Sequence, residues 1–299
     1  GDILSSGETK KLIITIEFIK DLTKEDLPTN TSTISLSYKL NFVQTNEKVT
    51  STSKTTSTIP EPVSFSTDSW ETIVNAVKNN NTGMYNLGDE KKIDMGDLGT
   101  HTVRIANKTT PDECNNDDFS QTACGFVIEF VVSSLRHNMN PKGMYEGIQY
   151  NNGWNIGGWP ASVMRKYINT TIYNALPEDL KNNILNTKVV SGHGLNDSDN
   201  FISTDKLYLL DVKEVYGDAS NNNTAKDYER QLDYYNNLNV TTTNYDVVVK
   251  KINLINVYWW LRSAGSKNAF FFVTSKGSYS YTQAADEYFA FPAFRIGNE

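Results

Sequence analysis

The side chains that most often perform catalysis are few and scattered in this sequence. Its three histidines, His101, His137 and His193, show neither the spacing of a metal site nor a grouping with serine and aspartate. Carboxylates are plentiful, but no pair of them stands in a motif that indicates acid–base chemistry. We therefore expect a protein that is not an enzyme and that needs no cofactor.

One short stretch, "GHGLNDSDN", collects the hard oxygen donors that calcium prefers, and Asp197 and Asp199 are its carboxylates. The stretch lacks the EF-hand pattern. The chain also lacks the Glu-Pro-Asn and Trp-Asn-Asp signatures of calcium-dependent sugar lectins. A solvated turn is the better interpretation, so we predict no metal site and keep Asp197 and Asp199 as a weak calcium candidate.

The two cysteines, Cys114 and Cys124, stand ten positions apart around a polar segment. In an oxidising compartment this spacing favours a disulfide that closes a small loop, and two unrelated thiols are the alternative. Such a bridge stabilises a fold by about 2–3 kcal/mol, because it restricts the unfolded chain. No histidine lies near enough in sequence to complete a zinc site.

The composition of the chain argues against some classes of binding partner. The chain has 299 residues and a formal net charge of −7, and its lysines and arginines form no run. Nucleic acids and anionic membrane surfaces are therefore not expected as partners. No apolar stretch is long enough to span a bilayer, so we predict no membrane insertion. A polar, weakly charged composition is typical of exported bacterial proteins, and we expect an extracellular protein attached to the cell surface.

The chain divides into three parts by pattern. Residues 1–46 contain two stretches of alternating apolar residues, which predict a β-strand segment. This segment either covers the main domain, or is the end of a truncated β-sandwich or an assembly element. Residues 47–66 are rich in Ser, Thr and Pro and predict a linker. Residues 67–299 predict the main domain.

Within 67–299 the elements are mixed, which predicts an α+β fold. A helix is expected in "STDSWETIVNAVKNN", capped by Ser66, Thr67 or Asp68. "ASVMRKYINTTIYNAL" and "PEDLKNNIL" also predict helices. "CGFVIEFVVSSL" predicts a buried strand, and "TKVVSG" and "KLYLLDVKEVYG" predict further strands. "NAFFFVTSKGSYSYTQ" predicts a hairpin that turns at Lys276 and Gly277.

Aromatic residues and arginines recur together at two places. In "NIGGWPASVMR", Trp159 is either a stacking platform for a sugar or a plug of the core, with Arg165 as a buried anchor, and we favour the core. In "WWLRS" and "FPAFRI", strand-like spacing places aromatic side chains around arginines, and a structural role is again favoured. The residues concerned near the C-terminus are Trp259, Arg262, Phe294 and Arg295.

These motifs carry a resemblance. "GGWPASVMR", "LPEDLKNNI", "KLYLLDVKEVYG", "YWWLRS" and "FPAFRI" resemble, in the same order over residues 68–297, one uncharacterised family of bacterial surface domains. Phe291 departs from it, since the family more often has arginine there. That family is similar to the C-type-lectin-like fold of formylglycine-generating enzymes and of retroelement-diversified receptor-binding proteins. The resemblance implies a small twisted antiparallel sheet, two or more helices and much ordered loop, and no particular chemistry.

The enzymatic branch of that resemblance uses a redox-active cysteine pair beside the C-terminal core. Here both cysteines lie near residue 120, so the resemblance does not imply that chemistry.

The C-terminal hairpin and loops predict a contact surface. "SAGSKNA" is expected to emerge to solvent after a buried strand, and tyrosines among serines give a rigid, adaptable binding surface. The receptor-binding relatives carry their ligand contacts in this region. The contact residues that we predict are Lys267, Asn268, Tyr279, Tyr281, Glu287 and Tyr288.

Two functions remain open from sequence. The first is a non-catalytic recognition or adhesion module that binds a host or microbial glycan or a surface protein. The second is a structural or tip subunit of a surface filament, which would assemble through the N-terminal strands.

Overall fold

The compact unit of this chain begins earlier than the sequence predicts. A computed structural model describes residues 59–150, 153–220, 224–225 and 228–298. The β segment predicted for residues 1–46, its role in assembly and most of the linker lie outside these residues. The described unit starts at Ile59, and Phe65 is fully buried in its core. The end of the predicted linker therefore belongs to this unit, which starts before residue 67.

The described residues form six short helices. They are α1 (Trp70–Lys78), α2 (Val163–Tyr167), α3 (Tyr173–Ala175), α4 (Glu178–Lys181), α5 (Val212–Val215) and α6 (Asp233–Asn237). A π-helical turn over Ile168–Ile172 joins α2 to α3. In the described part of the chain, no helix combines the length and the hydropathy that crossing a membrane requires.

The same part of the chain contains fifteen strands. They are β1 (Glu90–Asp94), β2 (Thr100–Asn107), β3 (Phe126–Val132), β4 (Arg136–His137), β5 (Gly143–Tyr145), β6 (Ile148–Tyr150), β7 (Thr187–Ser191), β8 (Phe201–Asp205), β9 (Lys251–Ile252), β10 (Ile255–Asn256), β11 (Trp259–Ala264), β12 (Ala269–Val273), β13 (Tyr279–Gln283), β14 (Tyr288–Phe289) and β15 (Ala293–Ile296).

The strands form two principal sheets. The four-stranded sheet has the order β1-β2-β3-β15 and is antiparallel throughout. The five-stranded sheet has the order β13-β12-β11-β14-β4, and only β11 and β14 in it run parallel. Three two-stranded ribbons, β5-β6, β7-β8 and β9-β10, surround them. Helices and mainly antiparallel sheets coexist in one unit, so the predicted α+β class is confirmed.

Two local predictions are corrected. Ser69, not Ser66, Thr67 or Asp68, caps α1, because its hydroxyl accepts the Thr72 N–H. The carboxylate of Asp68 instead accepts the N–H groups of the preceding chain.

The strand predicted for "KLYLLDVKEVYG" is wrong, since the stretch forms only an isolated bridge at Tyr208 and is helical over Val212–Val215. Asp211 and Glu214 form a capping box there, in which each side chain accepts a backbone N–H of the other end of the turn. This local pairing stabilises one helical turn against the β propensity of the valines.

A cluster of charged side chains lies at the centre of the C-terminal half, with no exposure to solvent. The Arg262 guanidinium of β11 donates to both carboxylate oxygens of Glu214, each at 2.6 Å, and to Glu229. It also donates to the carbonyls of Val190 and Leu209. One arginine therefore ties β11 to β7, to α5 and to the chain around Glu229, and desolvation is offset by several charge-assisted bonds.

Asp211 and Glu229 face each other beside this arginine. Oxygens Oδ2 of Asp211 and Oε2 of Glu229 receive no N–H or O–H donor from any described residue, and after burial Asp211 is among the causes of the raised pKa of Glu229. A hydrogen bond between two carboxyl groups needs a proton on one of them, and we infer that this pair shares one. Burial first, and then the charge of Asp211, raise the pKa of Glu229 well above its ordinary value. The folded chain therefore holds a proton that the unfolded chain releases.

This proton makes stability depend on pH in a defined direction. The stabilisation of the folded chain by this proton is complete below the ordinary carboxyl pKa of 4.5. It is lost as pH rises through the raised pKa of Glu229. We expect Glu229→Gln to increase the free energy of unfolding at pH 8 by about 1–2 kcal/mol, because the amide donates to Asp211 without a proton. Chemical denaturation between pH 5 and pH 8 measures this gain, which shrinks toward pH 5.

The matched control is Glu214→Gln. Glu214 accepts from Arg262, from Thr122 and from the Asp211 N–H, and an amide cannot satisfy all of these donors, so this variant loses stability at both pH values. Equal destabilisation by the two variants at pH 8 would contradict the shared proton.

Candidate binding surfaces at the two ends of strand β11

The aromatic and arginine residues of the sequence motifs belong to the frame of the domain. Trp159 is fully buried, and its indole N–H donates to Asp205 at 2.9 Å, so its ring cannot serve as a platform for a sugar. Arg165 forms an ion pair with the same carboxylate at 2.6 Å and stays partly exposed. One carboxylate thus fixes both residues of the "GGWPASVMR" motif.

The C-terminal motif is also structural. Trp259 and Phe294 are fully buried, and the Arg295 guanidinium donates to the carbonyl of Cys124 at 2.7 Å. Cys124 is joined to Cys114 in a disulfide, so β15 holds this loop against the domain. Phe291 is buried with its ring edge-on to Trp259.

A second buried charge lies next to this aromatic pair. Lys250 lies 4.3 Å from the Trp259 ring centroid, and its ammonium bonds to Glu129 at 2.9 Å. Burial alone would raise the pKa of Glu129, but the charges of Arg104 and Lys250 lower it. Burial also lowers the pKa of Lys250 to about 8. The ion pair and the cation–π contact anchor the start of β11.

The predicted contact residues do not form one surface. Lys267 and Asn268 lie in the turn that follows β11, and Tyr281 lies beside that turn. Glu287 and Tyr288 lie near the start of β11, where β14 pairs with it. The two groups therefore occupy opposite ends of a six-residue strand, about 20 Å apart at the usual rise per residue.

Tyr279 and Tyr288 are further separated by the sheet itself. Tyr279 is half-buried against Tyr216 and Phe271, whereas Tyr288 packs on Trp260 and Phe272. Phe271 and Phe272 are consecutive strand residues and point to opposite faces.

The stretch "SAGSKNA" is less exposed than predicted, since Ser263, Ala264 and Gly265 are buried and only Lys267 is well exposed. The reason is a side chain that sequence reasoning missed. Asn155 is fully buried, and its amide donates to the carbonyls of Ser266 and Ala269 at 2.6 and 2.7 Å. These bonds draw the turn inward against a neighbouring loop.

Asn155 also fixes a third loop. Its side-chain oxygen accepts from Asn196 at 2.6 Å, so the loops around residues 154–157, 194–197 and 265–268 meet at one buried amide. Their exposed large side chains, with Lys267, form what we call the loop surface: Trp154, Ile156, Leu195 and Lys267. Asp197 and Asp199 lie on the second of these loops and its continuation. In the described ranges, no three residues of the kinds that bind metals come together.

The opposite end of β11 carries a concave site of 390 Å³. We call it the aromatic groove, and its lining residues are Arg136, Ile252, Asn253, Ile255, Asn256, Val257, Tyr258, Glu287, Tyr288 and Phe289. The rings of Tyr258 and Tyr288 are stacked, with centroids 5.3 Å apart and an interplanar angle of 25°. Tyr258 remains 44% exposed and offers its outer face to a ligand.

Two charged side chains, Arg136 and Glu287, lie at the rim of the groove. The Arg136 guanidinium donates to the Glu287 carbonyl at 2.9 Å and lies 5.2 Å from the Phe289 ring centroid. The carboxylate of Glu287 is exposed and bonds to no residue of the part of the chain that the structure describes. The rim therefore presents an exposed carboxylate, that of Glu287, and an exposed guanidinium, that of Arg136, beside an apolar floor.

The β9-β10 ribbon that borders the groove contains a strained position. Asn253 and Leu254 both have positive φ, 49° and 68°, as a type I′ turn requires. Asparagine tolerates this conformation, but leucine does so at a cost of roughly 1–2 kcal/mol. Leu254 is also 92% exposed and Ile255 69% exposed. An apolar residue that is both strained and solvated costs the fold free energy and returns none by burial.

Sequence reasoning missed Tyr258 and Leu254. Tyr258 stands directly before two buried tryptophans, and nothing in "VYWW" distinguishes the exposed ring. For Leu254 a signal exists: "INLIN" reads as two short apolar strands around an Asn-x turn in which glycine is the expected residue.

Comparison with known proteins yields one family. Residues 132–297 match a family described as a domain of unknown function, DUF6273. The chain belongs to this family. The match covers more than half of the chain and includes the loop surface, the aromatic groove and Arg262. Comparison with curated proteins and with solved structures found no significant match.

Replacing Leu254 tests whether the fold needs it. We expect Leu254→Gly to increase the free energy of unfolding by about 1 kcal/mol, because glycine adopts positive φ without strain. Ile255→Gly, at the adjacent exposed strand position, is the control and should lower it, since glycine weakens a strand. Equilibrium denaturation of both variants measures the difference, and a loss in Leu254→Gly as large as that in Ile255→Gly would show that the turn is not strained.

Proposed function

We propose that this DUF6273 domain is a non-catalytic recognition module that binds another protein through the aromatic groove. The observation that carries the proposal is Leu254, an exposed leucine held at positive φ beside an apolar groove. The stacked Tyr258 and Tyr288 add a rigid aromatic platform, which is typical of binding hot spots. Of the predicted contact residues, Glu287 and Tyr288 belong to this site.

The lining favours a protein ligand over a glycan. Ile252, Ile255 and Val257 stand beside the aromatic rings, and a sugar needs more converging polar groups than these side chains supply. The available carboxylate of Glu287 complements a positive charge. The partner that fits is a polypeptide with one large apolar side chain next to a lysine or arginine.

The proposal includes a fold family and a cellular location. The Trp-Arg strand, the loop-rich architecture and the Phe-Arg ending support a C-type-lectin-like fold, in which binding residues lie on loops and the C-terminal region. The disulfide between Cys114 and Cys124 supports an oxidising, extracellular location. Both points agree with a cell-surface module.

Peptide selection tests the function directly. A phage-displayed library of random peptides is selected on the whole chain, with the Tyr258→Ala variant present in excess as competitor. We expect enriched peptides that pair a large apolar residue with Lys or Arg. Isothermal titration of a synthetic copy should show affinity that falls at least about tenfold in Tyr258→Ala and in Leu254→Gly, a loss of about 1.4 kcal/mol or more.

Glu287→Gln should weaken the same peptide less and reduce its dependence on salt. Ile202→Ala, which removes an exposed apolar side chain of β8, is the matched control and should bind as the parent chain does. Peptides that bind Tyr258→Ala and Leu254→Gly at full strength would contradict the groove. Binding to an array of free glycans that Tyr258→Ala abolishes would instead make the ligand a sugar.

A further inference from the structure

The outer edge of β13 is chemically different from the other edges of the principal sheets. β13 is the last strand of the five-stranded sheet, and its sequence, "YSYTQ", contains no charged residue and no proline. The edge strand β1 reads "EKKID", and the edge strand β4 is two residues long and begins with Arg136. The fourth edge, β15, is covered, because single bridges join it to Ile184 and Tyr208. Charged or very short edges prevent pairing with other chains, and β13 has neither protection.

The register shows which backbone groups of β13 are available. The Ala284 N–H donates to the Asn268 carbonyl, and the Ser278 carbonyl accepts the Thr274 N–H, both at 2.8 Å. The pairing between β12 and β13 has no bulge, so the even-numbered residues direct their backbone groups toward β12. The odd-numbered residues therefore direct theirs outward.

Three residues line this open edge: Tyr279, Tyr281 and Gln283. Within the described ranges their outward N–H groups donate to no acceptor, and the carbonyls of Tyr279 and Tyr281 accept from no donor. Tyr281 is also 58% exposed, so the edge has an aromatic side chain at its centre. Unpaired donors and acceptors in alternation are a template for another strand.

We propose that β13 pairs antiparallel with β13 of a second copy of this chain, and that the five-stranded sheets of two copies join across a two-fold axis. The edge is self-complementary in this arrangement. Tyr281 lies opposite its own counterpart, and the backbone groups of Tyr279 face those of Gln283 in the other copy. A two-fold interface uses the same patch on both subunits, so an uncharged strand places no like charges opposite each other across the axis.

This pairing leaves the aromatic groove open. Tyr281 lies beside Gly265, near the end of β11, whereas the groove lies at its start. A dimer would therefore present two grooves and raise the avidity for a partner with repeated ligands.

The test is the oligomeric state of the whole chain, measured by analytical ultracentrifugation over a wide range of protein concentrations. We expect a reversible species of twice the mass of one chain. Tyr281→Lys and Tyr281→Glu should each sediment as monomers, because like charges then stand directly opposite across the axis. An equal mixture of the two variants should recover the dimer, because the charges become complementary.

The recovery separates the specific pairing from a folding defect, since a misfolded variant is not restored by mixing. Ile202→Lys places the same charge on another exposed apolar position and should remain dimeric. A parent chain that stays monomeric at every concentration overturns the proposal, as does a dimer that persists in Tyr281→Lys or a mixture that remains monomeric. Peptide binding at the groove is read separately, so each proposal can fail without the other.

Discussion

The packing of the C-terminal half depends on one buried guanidinium group, that of Arg262. Arg262 has no contact with solvent, yet all its nitrogens donate, to the carboxylates of Glu214 and Glu229 and to carbonyls of β7 and of the chain before α5. Removing it would leave three carboxyl groups in the core, which costs more than packing alone could offset. The middle strand of the five-stranded sheet is thereby fixed to segments that are far from it in sequence.

A strand fixed at its centre can hold different structures at its two ends. At its start, Lys250 and Trp259 anchor the aromatic groove, in which Tyr258 and Tyr288 stack beside an exposed hydrophobic turn. At its end, Asn155 ties three loops together through one amide. Rigid support of this kind lowers the entropy that a binding surface loses on complex formation. The buried charges of this arrangement are bonded to one another and to backbone carbonyls, so they hold the frame on which both surfaces lie.

The sequence reveals the class of the fold and much of its frame, but not the assembly of its surfaces. Alternation predicted the C-terminal hairpin, and the aromatic–arginine motifs identified Trp159 and Arg262 as structural, because burial leaves a strong local pattern. The helical turn of α5 was not predicted, since its valines favour a strand and only the Asp211–Glu214 capping box stabilises a helix there. The predicted contact residues were divided between the two ends of β11, because proximity along the chain does not reveal which end of a strand a later segment joins. Asn155 was not predictable at all, since its partners lie on loops that only the fold brings together.

The most direct test of the proposed function determines which end of β11 a bound peptide contacts. Each end carries one exposed isoleucine and one exposed leucine, Ile255 and Leu254 at the groove and Ile156 and Leu195 on the loop surface. In a chain with labelled Ile and Leu methyl groups, titration with a selected peptide is followed by methyl NMR. We expect shifts and line broadening at the methyl groups of Leu254 and Ile255, with those of Ile156 and Leu195 unchanged. The reverse pattern would contradict the proposed function and would assign recognition to the loop surface.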